Sequence, residues 1–83
     1  MPKYFFHFER AGKVITDPEG TELGDVAEAR HEAFLNARDL IIRILKTEEP
    51  VPLDDNVHVT DGHGTIICTV MLREALGSVR ELR

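Results

Sequence analysis

Four histidines and a single cysteine are the side chains of this sequence that could ligate a transition metal such as zinc, or act as base and nucleophile. They are His7, His31, His58, His63 and Cys68, and they are spread along the whole chain. A zinc site needs three or four ligands in a tetrahedral arrangement, usually with paired spacings such as Cys-x-x-Cys or His-x-x-x-His. Neither spacing occurs, so we expect no metal ion and no cofactor.

His7 and His58 keep one alternative open, an enzyme or a metal-binding protein. Both fall on the same face of a predicted sheet, so they can approach each other if their strands are neighbours. An active site there would also need an acidic neighbour that converges with them in a pocket. Cys68 alternates with Ile66 and Val70 and is predicted to point inward, where burial raises the pKa of a thiol. The favoured interpretation is that the protein is not an enzyme.

Acidic residues between the first strands and the helix suggest a cation site as a further alternative. They are Asp17, Glu19, Glu22 and Asp25. Hard ions such as calcium prefer several carboxylates, but the spacing of an EF-hand loop is absent. A turn and a helix cap account for Asp17 and Asp25 without an ion.

Strand alternation begins at the third residue and positions the first histidine. Tyr4, Phe6 and Phe8 fall on the core face, and Phe5, His7 and Glu9 fall on the opposite face. Residues 10–13 contain a glycine suited to a hairpin bend, and the β-branched residues 14–16 predict an antiparallel return strand. The segment 17–20, Asp-Pro-Glu-Gly, ends this hairpin because proline presets a turn dihedral and glycine tolerates positive φ.

A long helix is predicted from Val26 to about Lys46, a stretch without glycine or proline. Asp25 and Glu28 have the spacing of a capping box at its start. Apolar residues recur at three- and four-residue steps and form a stripe that must pack on the sheet. The stripe consists of Val26, Ala29, Ala33, Ala37, Leu40, Ile41 and Ile44. We expect its small alanines to leave room for the rings of the core face.

A second, mixed set of residues lies on the opposite side of this helix. This outer helix seam consists of His31, Leu35, Arg38, Ile42 and Leu45. Scattered exposed apolar residues are normal on any surface, so the seam is either ordinary surface or a contact with a second copy or another protein. With Phe5 and His7, which the alternation leaves outside the core, it forms the candidate interface.

A second hairpin and a helical tail complete the predicted fold. Strands are predicted at 56–60 and 65–72 around a turn at 61–64, with Val57, Val59, Ile66, Cys68 and Val70 facing the helix. The tail, 72–83, is either a short helix covering the bare sheet face or a frayed end. We therefore predict one α+β domain over residues 1–83, of order β-β-α-β-β, with a four-stranded sheet and the long helix across one face.

Composition narrows the classes of function. With 42% apolar and 30% charged residues, the chain has the balance of a small soluble domain. One cysteine permits no intrachain disulfide, and the start of the chain lacks an export signal, so we expect a cytoplasmic protein. A net charge of −5 disfavours nucleic acid as a partner. No apolar run approaches the roughly 20 residues that cross a bilayer, so we expect no membrane association.

The chain resembles a family of small bacterial proteins described as a domain of unknown function. The matching residues are Met1, Pro2, Tyr4, Phe5 and Phe6, then Asp17, Glu19, Gly20, Glu22 and Leu23, then Asp25, Ala27, Ala29 and Arg30. A second hairpin around an Asp-x-x-Gly turn, here Asp61 to Gly64, extends the resemblance over nearly the whole chain. The resemblance implies the fold and brings no activity.

Residues 17–20 and 25–38 are also similar to small antitoxins with a partial RNase H-like fold, although a third strand before the helix and a DNA-binding tail are missing. The function expected from the sequence is a non-catalytic interaction or regulatory module that self-associates as a homodimer or binds an unidentified protein. The alternative is an antitoxin-like partner of a small toxin.

Overall fold

Five strands and two helices form an α+β fold in this computed structural model, which describes residues 1–80 and side chains as far as residue 77. The elements are β1 Lys3–Arg10, β2 Lys13–Ile15, β3 Thr21–Glu22, α1 Val26–Lys46, β4 Asn56–Thr60, β5 Ile66–Met71 and α2 Leu72–Arg80. The predicted fold class and the bounds of the long helix are confirmed. Neither helix is long and apolar enough to cross a membrane over the residues described.

The sheet is antiparallel, in the order β2-β1-β4-β5, and β3 also pairs with β1. The fifth strand, β3, follows the segment 17–20, the predicted end of the first hairpin, because the chain pairs with β1 again after that turn. Ile15 pairs with Phe8 and Thr21 pairs with Tyr4. Between these two pairs the edge segment moves on by six residues, whereas β1 moves on by only four. The two extra residues form a bulge between β2 and β3, and such interruptions are typical of edge strands.

Asp17 fills the gap that this bulge leaves in the hydrogen-bond ladder. Its Oδ2 accepts the N–H of Phe6 at 3.2 Å, and its Oδ1 accepts the N–H groups of Glu19 and Gly20, both at 3.2 Å. Burial alone would raise the pKa of Asp17, but the bonds from Phe6, Gly20 and Glu19 favour the carboxylate, so its pKa lies below the ordinary 3.8. The predicted turn is thus held by a single ionised side chain.

The start of α1 is capped almost as the sequence predicts. Asp25 Oδ1 accepts the N–H of Glu28 at 2.8 Å. Glu28 Oε2 reaches back to the N–H of Gly24, at 2.5 Å, and not to that of Asp25 as in a standard capping box. Both side chains therefore stabilise the helix start.

The small residues of the predicted stripe bring α1 close to the sheet. Ala29, Ala33, Ala37 and Ile41 are fully buried, and α1 makes its sheet contacts mainly with β4 and β5. Val26, at the first position of the helix, remains 48% exposed and does not join this core.

The second helix packs on the same side of the sheet as α1. Leu72 and Ala75 are fully buried in the core, and the N–H of Leu72 donates to the carbonyl oxygen of Asp55 at 2.9 Å. The predicted short C-terminal helix is confirmed, but α2 contacts α1 and β5, so the expectation that it covers the bare sheet face is wrong. The rest of that tail, 81–83, lies outside the described residues.

A bulge in the second hairpin changes the predicted facing of two residues. Val59 pairs with Cys68, but the next pair is Thr60 with Ile66, so Ile67 is the extra residue. A one-residue insertion moves the following side chain to the other face. Ile66, predicted inward, is consequently 58% exposed, whereas Ile67 packs against the core.

The two-residue loop between β1 and β2 offers a stabilising substitution. Ala11 and Gly12 both have positive φ, 52° and 80°, as in a type I′ turn. This backbone is unfavourable for alanine, and asparagine before glycine is the preferred pair. We expect Ala11→Asn to raise the free energy of unfolding by about 0.5–1 kcal/mol, measured by urea denaturation. The same substitution at the exposed helical Ala27 should lower it by about 0.5 kcal/mol.

Candidate functional site

His7 and His58 lie directly opposite each other on β1 and β4, on the sheet face that neither helix covers. His58 Nε2 lies 2.6 Å from Glu9 Oε1, and His58 Nδ1 lies 2.9 Å from Thr69 Oγ1. These contacts connect β1, β4 and β5 through one imidazole. We call this surface the outer sheet face.

His7 is held in a similar way by the bulge and by β4. Its Nδ1 accepts the N–H of Asp17 at 3.0 Å, and its Nε2 lies 3.1 Å from Thr60 Oγ1. Because Nδ1 is an acceptor, the neutral ring carries its proton on Nε2 and donates it to the threonine. The ring also stacks on Phe5 at 6.4 Å between centroids.

These hydrogen bonds bear on the catalytic and metal alternatives. All four ring nitrogens of His7 and His58 already have partners within the sheet. In the part of the chain that the structure describes, no group of three or more histidine, cysteine or acidic residues is placed to hold a metal ion. The Glu9 carboxylate, the His58 imidazole and the Thr69 hydroxyl are connected by hydrogen bonds, but they lie on an open sheet face. The arrangement favours a role in cross-linking strands.

Cys68 is half-buried on the inner face of β5. Burial raises the pKa of its thiol, against a smaller opposite effect of the Arg30 charge. The thiol is therefore protonated at neutral pH and is a poor nucleophile, as its predicted inward position indicated.

The candidate interface residues fall on two separate surfaces. Phe5 and His7 lie on the outer sheet face, and the outer helix seam lies on the opposite side of the molecule. Within the seam, His31 and Leu45 are exposed, whereas Leu35, Arg38 and Ile42 are half-buried. The structure thus does not bring the two sets together in one chain.

The acidic residues predicted to serve the turn and the cap do so. Asp17 and Asp25 both accept backbone N–H groups. A wide depression of about 500 Å³ lies beside the start of α1, where Asp25 and Glu28 are engaged in the helix cap and His31 is exposed. Nothing in this geometry favours the calcium alternative.

An open groove between β1 and α1 is the feature that sequence reasoning missed. The rings of Phe6 and Phe8 were expected beneath the alanines of α1, yet both are only half-buried, unlike the neighbouring Tyr4. A helix is about 10 Å wide and strands are about 4.8 Å apart, so one helix covers about two strands. Because α1 lies mainly over β4 and β5, the part of the inner face that carries Phe6, Phe8 and Ile15 stays open, whereas Tyr4 at the start of β1 is buried. We call this space the β1–α1 groove.

The groove has an apolar floor and a mixed wall. Its volume is about 230 Å³. Phe6, Phe8 and Val57 form the floor on the sheet side, and the wall on α1 consists of Asn36, Asp39, Leu40 and Arg43. Ile15 pairs with Phe8 and therefore shares its face, and at 61% exposure it extends the apolar surface to the sheet edge.

Two opposite charges stand on the groove wall one helical turn apart. Asp39 and Arg43 are both exposed, and neither forms an ion pair with another described residue. They give the apolar floor the polar rim that is typical of protein interfaces. This site could have been predicted only from the strand order. When β4 pairs with β1, a helix that packs on β4 and β5 leaves part of β1 uncovered.

Comparison with known families gives one match. A family model described as a domain of unknown function, DUF6894, matches residues 3–73, from β1 to the start of α2. Neither the curated proteins nor the solved structures contain a match to the chain. The match covers most of the 83 residues and includes both faces of the sheet and the whole of α1. The chain therefore belongs to the DUF6894 family, a domain of unknown function.

Proposed function

We propose that the protein is a non-catalytic interaction module that self-associates as a homodimer through the β1–α1 groove. The observation that carries this proposal is the apolar patch of Phe6, Phe8 and Ile15 on the inner face of β1 and β2, which α1 leaves partly uncovered. An uncovered aromatic floor with a polar rim is typical of a binding surface. Burying it on a partner is favoured by about 25 cal/mol per Å² of apolar area.

The titratable groups support a role without catalysis. His7 and His58 use their ring nitrogens within the sheet, and Asp17 and Asp25 bind backbone N–H groups. These side chains stabilise strands, a turn and a helix start. The groove itself is lined mainly by apolar and amide groups beside one acid and one base.

A pair of neighbouring substitutions on β2 tests this function. Ile15 and Val14 are both exposed, at 61% and 54%, but they lie on opposite faces of the same strand. We expect Ile15→Lys to weaken dimerisation at least about tenfold, since a charge would enter an apolar contact, and Val14→Lys to leave it unchanged. Sedimentation velocity over a concentration series measures both. A monomeric wild type, or equal effects of the two variants, would contradict the proposal.

A further inference from the structure

We infer that the groove of each copy is filled by the outer helix seam of a second copy, in a face-to-face dimer with two-fold symmetry. This inference rests on the proposed function and adds the identity of the surface that enters the groove. In such a dimer the two sheets enclose a shared layer of two long helices. Each α1 packs on its own sheet through the alanine stripe and on the other sheet through Leu35 and Ile42.

The dimensions of the molecule favour a face-to-face contact. The chain measures 37 × 27 × 17 Å, so its broad face covers about 1,000 Å² in projection, whereas its largest edge covers about 630 Å². A stable interface of standard size takes about 800 Å² from each partner. A broad face therefore offers more area for such a contact than an edge does.

The two broad faces differ in chemistry. The outer sheet face carries the hydrogen-bonded histidines with their acidic and threonine partners, and its exposed apolar residues, Val14 and Ile66, lie apart on the two outermost strands. The helix side carries the seam and the open groove next to each other. Apolar residues of the seam, Leu35, Ile42 and Leu45, thus lie on the same side of the molecule as the floor formed by Phe6 and Phe8.

The open part of the inner sheet face is a groove of about 230 Å³, which has room for apolar side chains of one more helix. The inner face of β1 and β2 spans two strands, which is the width that one helix covers. A two-fold axis running roughly along the helices keeps residues of the two copies at equal heights. Ile42 then stands opposite the groove of the other copy, because it is next to the groove-lining Arg43. Each contact occurs twice, as two-fold symmetry requires.

Cysteine cross-linking tests this arrangement in the full chain, with Cys68→Ser as background. We expect the Ile15→Cys, Ile42→Cys double variant to form a covalent dimer under mild oxidation, seen on a non-reducing gel. Val14→Cys with Ile42→Cys is the matched control and should not cross-link, because Val14 lies on the other face. Efficient cross-linking of the Ile15→Cys single variant would indicate a dimer in which the two grooves face each other. Efficient cross-linking of the Ile42→Cys single variant would indicate a dimer in which the two seams face each other. Either result overturns the inference.

A double-mutant cycle gives an independent readout. Ile15→Lys and Ile42→Glu should each weaken the dimer at least tenfold, and the double variant should bind at least threefold more tightly than additivity predicts. If Ile15→Lys dissociates the dimer but Ile42→Glu does not, the groove remains the interface and the seam inference fails. If the wild type is monomeric, the proposed function fails as well.

Discussion

Asp17→Asn is expected to lower the free energy of unfolding by about 2–3 kcal/mol, because hydrogen bonds to a charged acceptor are the strong ones. The carboxylate accepts three backbone N–H groups, those of Phe6, Glu19 and Gly20. An amide of the same shape has only one acceptor oxygen, and its NH₂ group would face one of these donors. The bulge between β2 and β3 would then lose the group that closes it.

The same variant should remove part of the pH dependence of folding. Burial raises the pKa of Asp17, but the backbone bonds outweigh it and hold the pKa below the ordinary 3.8. A lowered pKa in the folded state stabilises the protein above the unfolded pKa, and this contribution is lost as pH falls through the folded pKa. The stability difference between wild type and Asp17→Asn should therefore be constant at neutral pH and shrink below about pH 4.

Urea denaturation at several pH values measures both effects, and Asp61→Asn is the matched control. Asp61 also accepts two backbone N–H groups in a turn, those of His63 and Thr65, and these bonds lower its pKa. It lies at a solvent-exposed turn, so we expect a smaller loss of stability there. Equal losses for the two variants would show that the bulge has no special role.

Gly20→Ala is expected to cost about 2–3 kcal/mol, from backbone strain and overlap together. Gly20 has φ of +72°, in the left-handed region. A Cβ atom there would lie 2.8 Å from Lys3 Cγ and 2.8 Å from Phe5 Cε2. The alanine would push the Phe5 ring away from the bulge and so disturb its stacking on the His7 ring.

A substitution at Gly64 separates the cost of backbone strain from the cost of steric overlap. Gly64 has a similar φ of +84°, but a Cβ atom there would meet nothing within 4 Å. Gly64→Ala should therefore cost only the backbone strain, about 1–2 kcal/mol. Thermal and urea denaturation of both variants provide the comparison. A loss at Gly64 as large as that at Gly20 would mean that packing of Phe5 on the bulge adds nothing.

Several elements were predictable from short stretches of sequence. The bounds of α1 follow from the Asp25 cap and from the absence of glycine and proline up to Lys46. Both hairpins follow from alternation and from their turn residues. The turn that Asp17 and Gly20 form after β2 was also predictable, since it depends on backbone groups a few residues apart.

The groove was not predictable in the same way. Alternation correctly assigns Phe6 and Phe8 to the inner face but does not say which half of that face the helix covers. The bulge that exposes Ile66 depends on pairing with β4 and leaves no local signal. Likewise, Leu72 and Ala75 could cover either side of the sheet, and the choice depends on where α1 already lies.

The sequence by itself determined the identity of most elements, their caps and turns, and the face on which strand residues lie outside the bulges. These properties depend on backbone dihedrals and on neighbours within a few residues. Only the tertiary structure decided the strand order, the place of α2 beside α1 and the opening of the β1–α1 groove. Those features depend on which apolar surfaces, distant in sequence, bury one another, and one helix is too narrow to cover all the strands.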